Sequence, residues 1–153
     1  MRVVSNASPL IFLSKLEAVD LLSHCFSSVT IPEAVKSEVG AIYLPESIGV
    51  TAVSEFGEHF VAGALGVLHQ GELEAMVLAQ ELKADLILLD DLRARQKATR
   101  MGLTVMGTLG VLQLAHRKQL ITQQEFRRYL DDLVNKHGMW LSEKMLKTLK
   151  NLD

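Results

Sequence analysis

The chain has 153 residues, 48% of them hydrophobic and 22% charged, with a formal net charge of −2. That length suits one domain, and that balance allows a substantial core, which excludes a disordered chain. A charge so close to neutral excludes a global basic field for nucleic acid, so any such contact needs a local patch.

Taken in chain order, "RVVS" (2–5) reads as a buried strand. Pro9 then sits in the first turn of a helix running to about Leu16, with Asn6 or Ser8 able to cap it. "AVDLLSHC" (18–25) is a second short helix and "SSVTI" (27–31) a strand. Pro32 starts the helix "PEAVKSEV", which Gly40 ends. Residues 40–70 are the least regular and the richest in glycine, and read as loop, short strand ("GVTAV", 49–53) and loop. "GELEAMVLAQELKA" (71–84) is a helix with acids in its first turn and an apolar surface wide enough for near-complete burial. The unbroken apolar run "DLILL" (85–89) is a strand covered on both faces. "DLRARQKATRMG" (91–102) is a helix, "LTVM" (103–106) a strand and "TLGVLQLAHRKQL" (108–120) a helix. Thr122 and Glu125 form a capping box at the start of the next helix, and "SEKMLKTLKNL" (142–152) closes the chain as an amphipathic helix. Strand and helix alternate, which means an α/β fold with a largely parallel sheet. The helical tail, 108–153, is expected to pack on the same single domain, 1–153.

Aromatic residues are only 5% of the chain, so Leu, Val, Ile and Ala must build the core. The single cysteine, Cys25, forbids an internal disulfide and stands among apolar residues. No apolar run is long enough to span a bilayer, and "MRVVSNASPL" lacks a signal-peptide layout, so a reducing cytoplasmic setting is expected. The sequence has no dinucleotide fingerprint, no phosphate-binding P-loop and no nucleophile elbow. Its five histidines show no metal spacing and read as surface or helix-end residues.

In open parallel sheets, ligands bind beyond the carboxyl ends of the strands. The first strand ends at Asn6, with Ser8 close by, and the "DLILL" strand ends at Asp90-Asp91. One of that Asp pair can cap the following helix. The other needs a further reason, because adjacent carboxylates repel unless one is protonated or a cation lies between them. Clusters of oxygen ligands suit Mg²⁺ or Mn²⁺. Glu38 lies in the last turn of its helix, against the dipole, where a solvated Glu offset by Lys36 is a sufficient account. Glu72 lies in a first turn, where the dipole alone explains it, and Glu74 and Glu81 read as solvated.

The stretches "VVSNASPLIFLSKL", "IPEAVKSEVG", "HQGELEAMVLAQELKADLILLDDLRARQKATRMGLTVMGTLGVLQLA" and "LSEKMLKTL" together resemble the PIN-domain family, in particular a prokaryotic subgroup related to the VapC toxins of toxin–antitoxin pairs. The resemblance covers nearly the whole chain and is most specific over residues 70–115. It implies a three-layer α/β/α sandwich around a mainly parallel sheet of four or five strands. It also implies a Mg²⁺- or Mn²⁺-dependent ribonuclease site built from acidic residues at Glu38, Glu72 and Asp91, with Asp90 a close rival for the last place. Asn6 falls where the family has an Asp, and Ser8 matches its hydroxyl residue.

On that reading the catalytic set is Glu38, Glu72, Asp90 and Asp91, and the metal set is Asn6, Glu38, Glu72 and Asp91. Ser8 and Arg93 lie beside the substrate, Ser8 as a hydrogen-bond partner of Asn6 or of a water. Arg93, Arg95, Lys97 and Arg100 form a basic stretch, with Arg117, Lys118, Arg127 and Arg128 a weaker second one; a solvated surface explains each as simply as RNA phosphates do. The implied partners are an RNA substrate, a small antitoxin protein and a second copy in a homodimer, with no membrane. Asn6 supplies one unit of charge less than Asp, and a loss of only about 1.4 kcal/mol weakens metal binding tenfold. The alternative is therefore a weakened or inactive PIN-like module that binds RNA or a partner without cutting. A phosphoacceptor receiver domain is set aside, because it needs its acidic pair after the first strand, where Ser5 and Asn6 stand.

Overall fold

The structure is a computed structural model and describes residues 1–66 and 68–151. The elements run β1 (Arg2–Ser5), α1 (Ala7–Lys15), α2 (Leu21–Cys25), β2 (Ser28–Ile31), α3 (Glu33–Val39), β3 (Ile48–Val50), α4 (Glu55–Ala64), α5 (Gln70–Glu81), β4 (Leu86–Leu88), α6 (Leu92–Arg100), β5 (Val105–Met106), α7 (Thr108–Arg117), α8 (Gln123–Asn135) and α9 (Glu143–Lys150). Leu152 and Asp153, the end of the helical tail as read from the sequence, lie outside the described residues.

The five strands form one sheet in the order β3-β2-β1-β4-β5, and every pairing is parallel. β1 is the central strand: Val3 pairs with Val29 on one side and Leu86 on the other. The sequence explains this placement. Val3, Val4 and Leu86–Leu89 are all buried, as a strand with helices over both faces requires. Helix α5 packs on β1 and β4, with α3 and α4 against it, while α7 packs against α1, α2, α8 and β5. The result is the α/β/α sandwich, and Leu149 of α9 joins the same apolar core as Val3.

Helix ends are set by local chemistry. Gly40 (φ +61°) and Gly102 (φ +82°) adopt the left-handed conformation that stops α3 and α6. At α8 the capping box is complete: Glu125 N–H donates to Thr122 Oγ1, and Thr122 N–H donates to Glu125 Oε1, both at 3.0 Å.

Two expectations need correction. The glycine-rich segment contains a helix, α4, where a loop was expected. Ser54 caps it, with Oγ accepting from Gly57 N–H at 3.0 Å, and Glu55 and Glu58 favour its first turn. Gly57 is needed for close packing: a Cβ there would stand 2.8 Å from Val77 Cγ1 of α5. The glycine that signals a loop in sequence is thus a helix–helix contact in space. The strand expected at 49–53 is β3, Ile48–Val50, beginning one residue earlier and ending sooner.

Candidate functional site

All five strands run parallel, so their carboxyl ends share one edge of the sheet, where the loops after β1 and β4 meet. Asn6 N–H donates to Leu88 O at 3.0 Å, so the residue after β1 is locked beside the end of β4. Asn6 takes the N-cap position of α1 with extended backbone, yet its side chain caps nothing, nor does that of Ser8. Asn6 is 4% exposed, and its Oδ1 is buried with no hydrogen-bond partner. An unpaired buried carbonyl costs about 1–3 kcal/mol. Capping, the plain role for this Asn, is therefore absent, and the side chain aims an oxygen at a site that can use one.

The acids gather round it. A Cβ placed on Gly71 would lie 3.5 Å from Glu38 Oε2 and 3.7 Å from Asn6 Oδ1, so both oxygens hang over the first turn of α5, where a bare glycine leaves room. Glu72, buried, accepts from His69 N–H through Oε1 at 3.0 Å, which leaves Oε2 outside that bond. Asp91 caps α6, its Oδ2 accepting from Ala94 N–H at 2.9 Å, which leaves Oδ1. Asn6, Ser8, Glu38, His69, Glu72, Asp91 and Arg93 line one cleft of about 400 Å³. Among the described residues no group of three or more His, Cys, Asp or Glu side chains stands close enough to hold a metal ion. The cleft assembles the donors without closing them on a point.

Asp90 is placed differently from its neighbour. Its Oδ1 accepts from Thr108 N–H and its Oδ2 from Thr108 Oγ1, both at 2.7 Å, so it clamps the start of α7 to the end of β4. Burial pushes its carboxyl above the ordinary value, while the two Thr108 donors and Arg95 pull it back. Gly107 makes room for this arrangement: a Cβ there would meet Arg95 Nη1 at 2.8 Å and Asp90 Oδ1 at 2.9 Å. Asp90 lines a neighbouring cleft instead of the acidic one.

The reading of Glu74 as solvated is overturned. Glu74 is buried, accepts from Ala34 N–H at 3.3 Å and from Gln70 Nε2 at 2.8 Å, and so ties α5 to the start of α3. Glu81 is exposed but braces α4 through Ser54, accepting from its N–H at 2.9 Å and from its hydroxyl. Of the first basic stretch, Arg93 alone lines the acidic cleft. In the second, Lys118 donates to Cys25 O, Arg127 donates to Lys150 O, and Arg128 lies over the Tyr129 ring, so structural contacts occupy them. Sequence reasoning missed His69. The available signal was its position immediately before "QGE", which puts it at the N-cap of the helix that carries Glu72.

Models of protein families place residues 2–152 in the family described as DUF3368: PIN domain. The chain belongs to the PIN-domain family. PIN domains are generally nucleases and typically use divalent metals. Among solved structures, a PilT N-terminus domain protein from the hyperthermophilic archaeon Sulfolobus solfataricus P2 is similar, with a TM-score of 0.54 and 24% identity over 80% of this chain and 97% of that one. That likeness is one of fold, and it agrees with the five-stranded parallel sheet of this PIN domain. No curated protein matches the chain. Among the described residues, no helix is long and apolar enough to cross a membrane.

A divalent cation fits the donor set of this PIN domain. The side-chain donors of Asn6, Glu38, Glu72 and Asp91 are oxygens, as Mg²⁺ and Mn²⁺ prefer, and Asn6 Oδ1 is a buried acceptor with no hydrogen-bond partner.

Proposed function

We propose that the protein is a Mg²⁺- or Mn²⁺-dependent endoribonuclease of the VapC type, the toxin of a toxin–antitoxin pair. The observation that carries this is the unpaired, buried Asn6 Oδ1 in a cleft it shares with Glu38, Glu72 and Asp91. Glu38, Glu72 and Asp91 would hold the cation, with the Asn6 carbonyl as a neutral ligand. When bound, such a cation would supply charge stabilisation for phosphoryl oxygens and would lower the pKa of a bound water.

The chain's own residues do the rest. Two of the acids are fixed by their caps, Glu72 by His69 N–H and Asp91 by Ala94 N–H, so their positions are set before any ligand arrives. Arg93, at the rim, would meet the negative phosphodiester, and the Ser8 hydroxyl, which lines the same cleft, would donate to a bound water. The remaining parts of the proposal are a small antitoxin protein that covers the cleft, a homodimer, and action on RNA in the cytoplasm.

One observation favours a second reading, a PIN-like module that binds RNA or a partner without cutting. Asn6 is neutral, and the carboxylates do not converge on a common point. A paired cleavage assay separates the two. The protein and its Asn6→Asp variant are incubated with mixed RNA in Mg²⁺, Mn²⁺ or EDTA, with Glu38→Gln and Asp91→Asn as controls. Metal-dependent cutting by the parent, lost in the controls, establishes the nuclease. Cutting by Asn6→Asp alone identifies a disabled nuclease. No cutting by either sinks the proposal.

A further inference from the structure

A second cleft, of about 740 Å³, opens beside the acidic one, and Ser8 and Asp91 line both. Its lining includes Asp90, Arg95 and Gln113 among the polar residues and Phe12, Met139 and Trp140 among the apolar ones. Trp140 is 83% exposed, on the link between α8 and α9. The link is held in place. Gly138 turns it through a left-handed conformation (φ +74°), and Met139 N–H donates to Leu133 O at 2.8 Å. The Trp140 indole, at the rim of this cleft and bare to water, is a large exposed apolar surface.

We propose that this cleft is the subsite for a nucleotide adjoining the scissile phosphate, with the Trp140 indole as the surface on which its base stacks. The inference rests on the nuclease reading of the acidic cleft. Two observations carry it. The two clefts share Ser8 and Asp91 at their border, so a strand whose phosphate lies at the acids has this space next to it. The lining combines an aromatic face with polar edges, the guanidinium of Arg95 and the amide of Gln113, as a base with its polar edge requires. An apolar peptide would instead be forced against Asp90 and Arg95. Stacking tolerates any base, so the subsite adds affinity with little sequence preference.

Trp140 is the chain's sole tryptophan, so its fluorescence reports on this cleft alone. The test titrates the intact protein, in EDTA to prevent cutting, with a short mixed-sequence single-stranded oligoribonucleotide. A matched abasic ribose-phosphate oligomer and an amphipathic apolar peptide run beside it. Saturable quenching by the base-bearing strand, absent with the abasic one, supports the subsite. In metal, Trp140→Ala then raises KM for RNA roughly 5- to 100-fold with kcat little changed, and Trp140→Phe restores it. Equal quenching by the abasic strand, or quenching by the peptide alone, overturns it. Cleavage of RNA with no quenching overturns the subsite and leaves the nuclease reading standing. Quenching without cleavage of any RNA overturns both the nuclease reading and a subsite beside a scissile phosphate, and leaves Trp140 as a base-binding surface only.

Discussion

Asn6→Asp tests the centre of the site without any assay of cleavage. The change adds a carboxylate where the side chain is 4% exposed and Oδ1 has no donor to receive. Glu38 Oε2 hangs over the same glycine, and Glu72 and Asp91 line the same cleft. Burial and like charge both raise a carboxyl pKa, and each unit is about 1.4 kcal/mol at a pH where the group would otherwise be ionised. A rise of two to three units at neutral pH therefore destabilises the metal-free protein by about 2–4 kcal/mol. For a chain of this size that lowers Tm by roughly 5–15 °C. Saturating Mn²⁺ or Mg²⁺ reverses the sign, because a cation that binds only the folded state adds about 4 kcal/mol at a thousandfold excess over Kd. The assay is calorimetry of parent and variant in EDTA and across a metal titration. The variant should melt lower in EDTA, and its Tm should climb more steeply with metal than the parent's. An Asn6→Asp protein as stable as the parent in EDTA and indifferent to metal would refute the placement of Asn6 Oδ1 at a cation site.

Other predictions concern residues whose structural duties the fold makes plain. Asp90→Ala strands the buried Thr108 N–H and hydroxyl and should cost about 1–3 kcal/mol in urea unfolding, whereas Asp90→Asn, able to accept from one and donate to the other, should cost far less. Equal losses in the two variants would show that charge, not hydrogen bonding, holds α7. Glu74→Ala should lower Tm by roughly 3–10 °C equally in EDTA and in metal, since Glu74, Ala34 and Gln70 are not among the residues that line the acidic cleft; a metal-dependent loss would contradict this. Cys25 is buried, and burial pushes its thiol above the ordinary value against a smaller opposing effect of Lys118. A raised thiol pKa disfavours the thiolate in the fold, so stability drawn from this group is lost as pH rises through the folded value, and thiol reagents near pH 8 should label Cys25 only as fast as the chain opens. Rapid labelling of native protein would refute its burial.

Much of this was legible in the sequence because the signals were local. The strands announce themselves as Val and Leu runs, Gly40 and Gly102 stop their helices, and the Thr122–Glu125 box forms as read. The central order of β1 follows from its being apolar on both faces. What escaped was set by contacts between distant residues. Helix α4 is hidden by Gly57, which looks like a loop signal until Val77 is seen against it. Glu74 looks solvated until the N-terminus of α3 arrives over it. Asp90 and Asp91 are equivalent in sequence, and only Thr108 and Ala94 tell them apart. The unpaired oxygen of Asn6 is likewise invisible in one dimension, because an Asn before a helix is normally its cap.

The position of β1 in the middle of the sheet has a consequence for how the protein is made. Its first partner, β2, is synthesised soon after it, but the second, β4, waits until residue 88 has emerged. Until then one edge of β1 stays open, and Asn6 lacks the Leu88 carbonyl that fixes it. Asn6, Glu38, Glu72 and Asp91 come from helix starts and helices spread between residues 6 and 91, so a chain still growing on the ribosome, or one broken short of α6, holds no complete cleft. Parallel pairing over such a separation is slow, and the waiting edge is a place where another chain can add. A PIN domain built this way has no finished cleft until residue 91 has been made, and its most vulnerable moment, for misassembly at the open edge of β1, comes before its site exists.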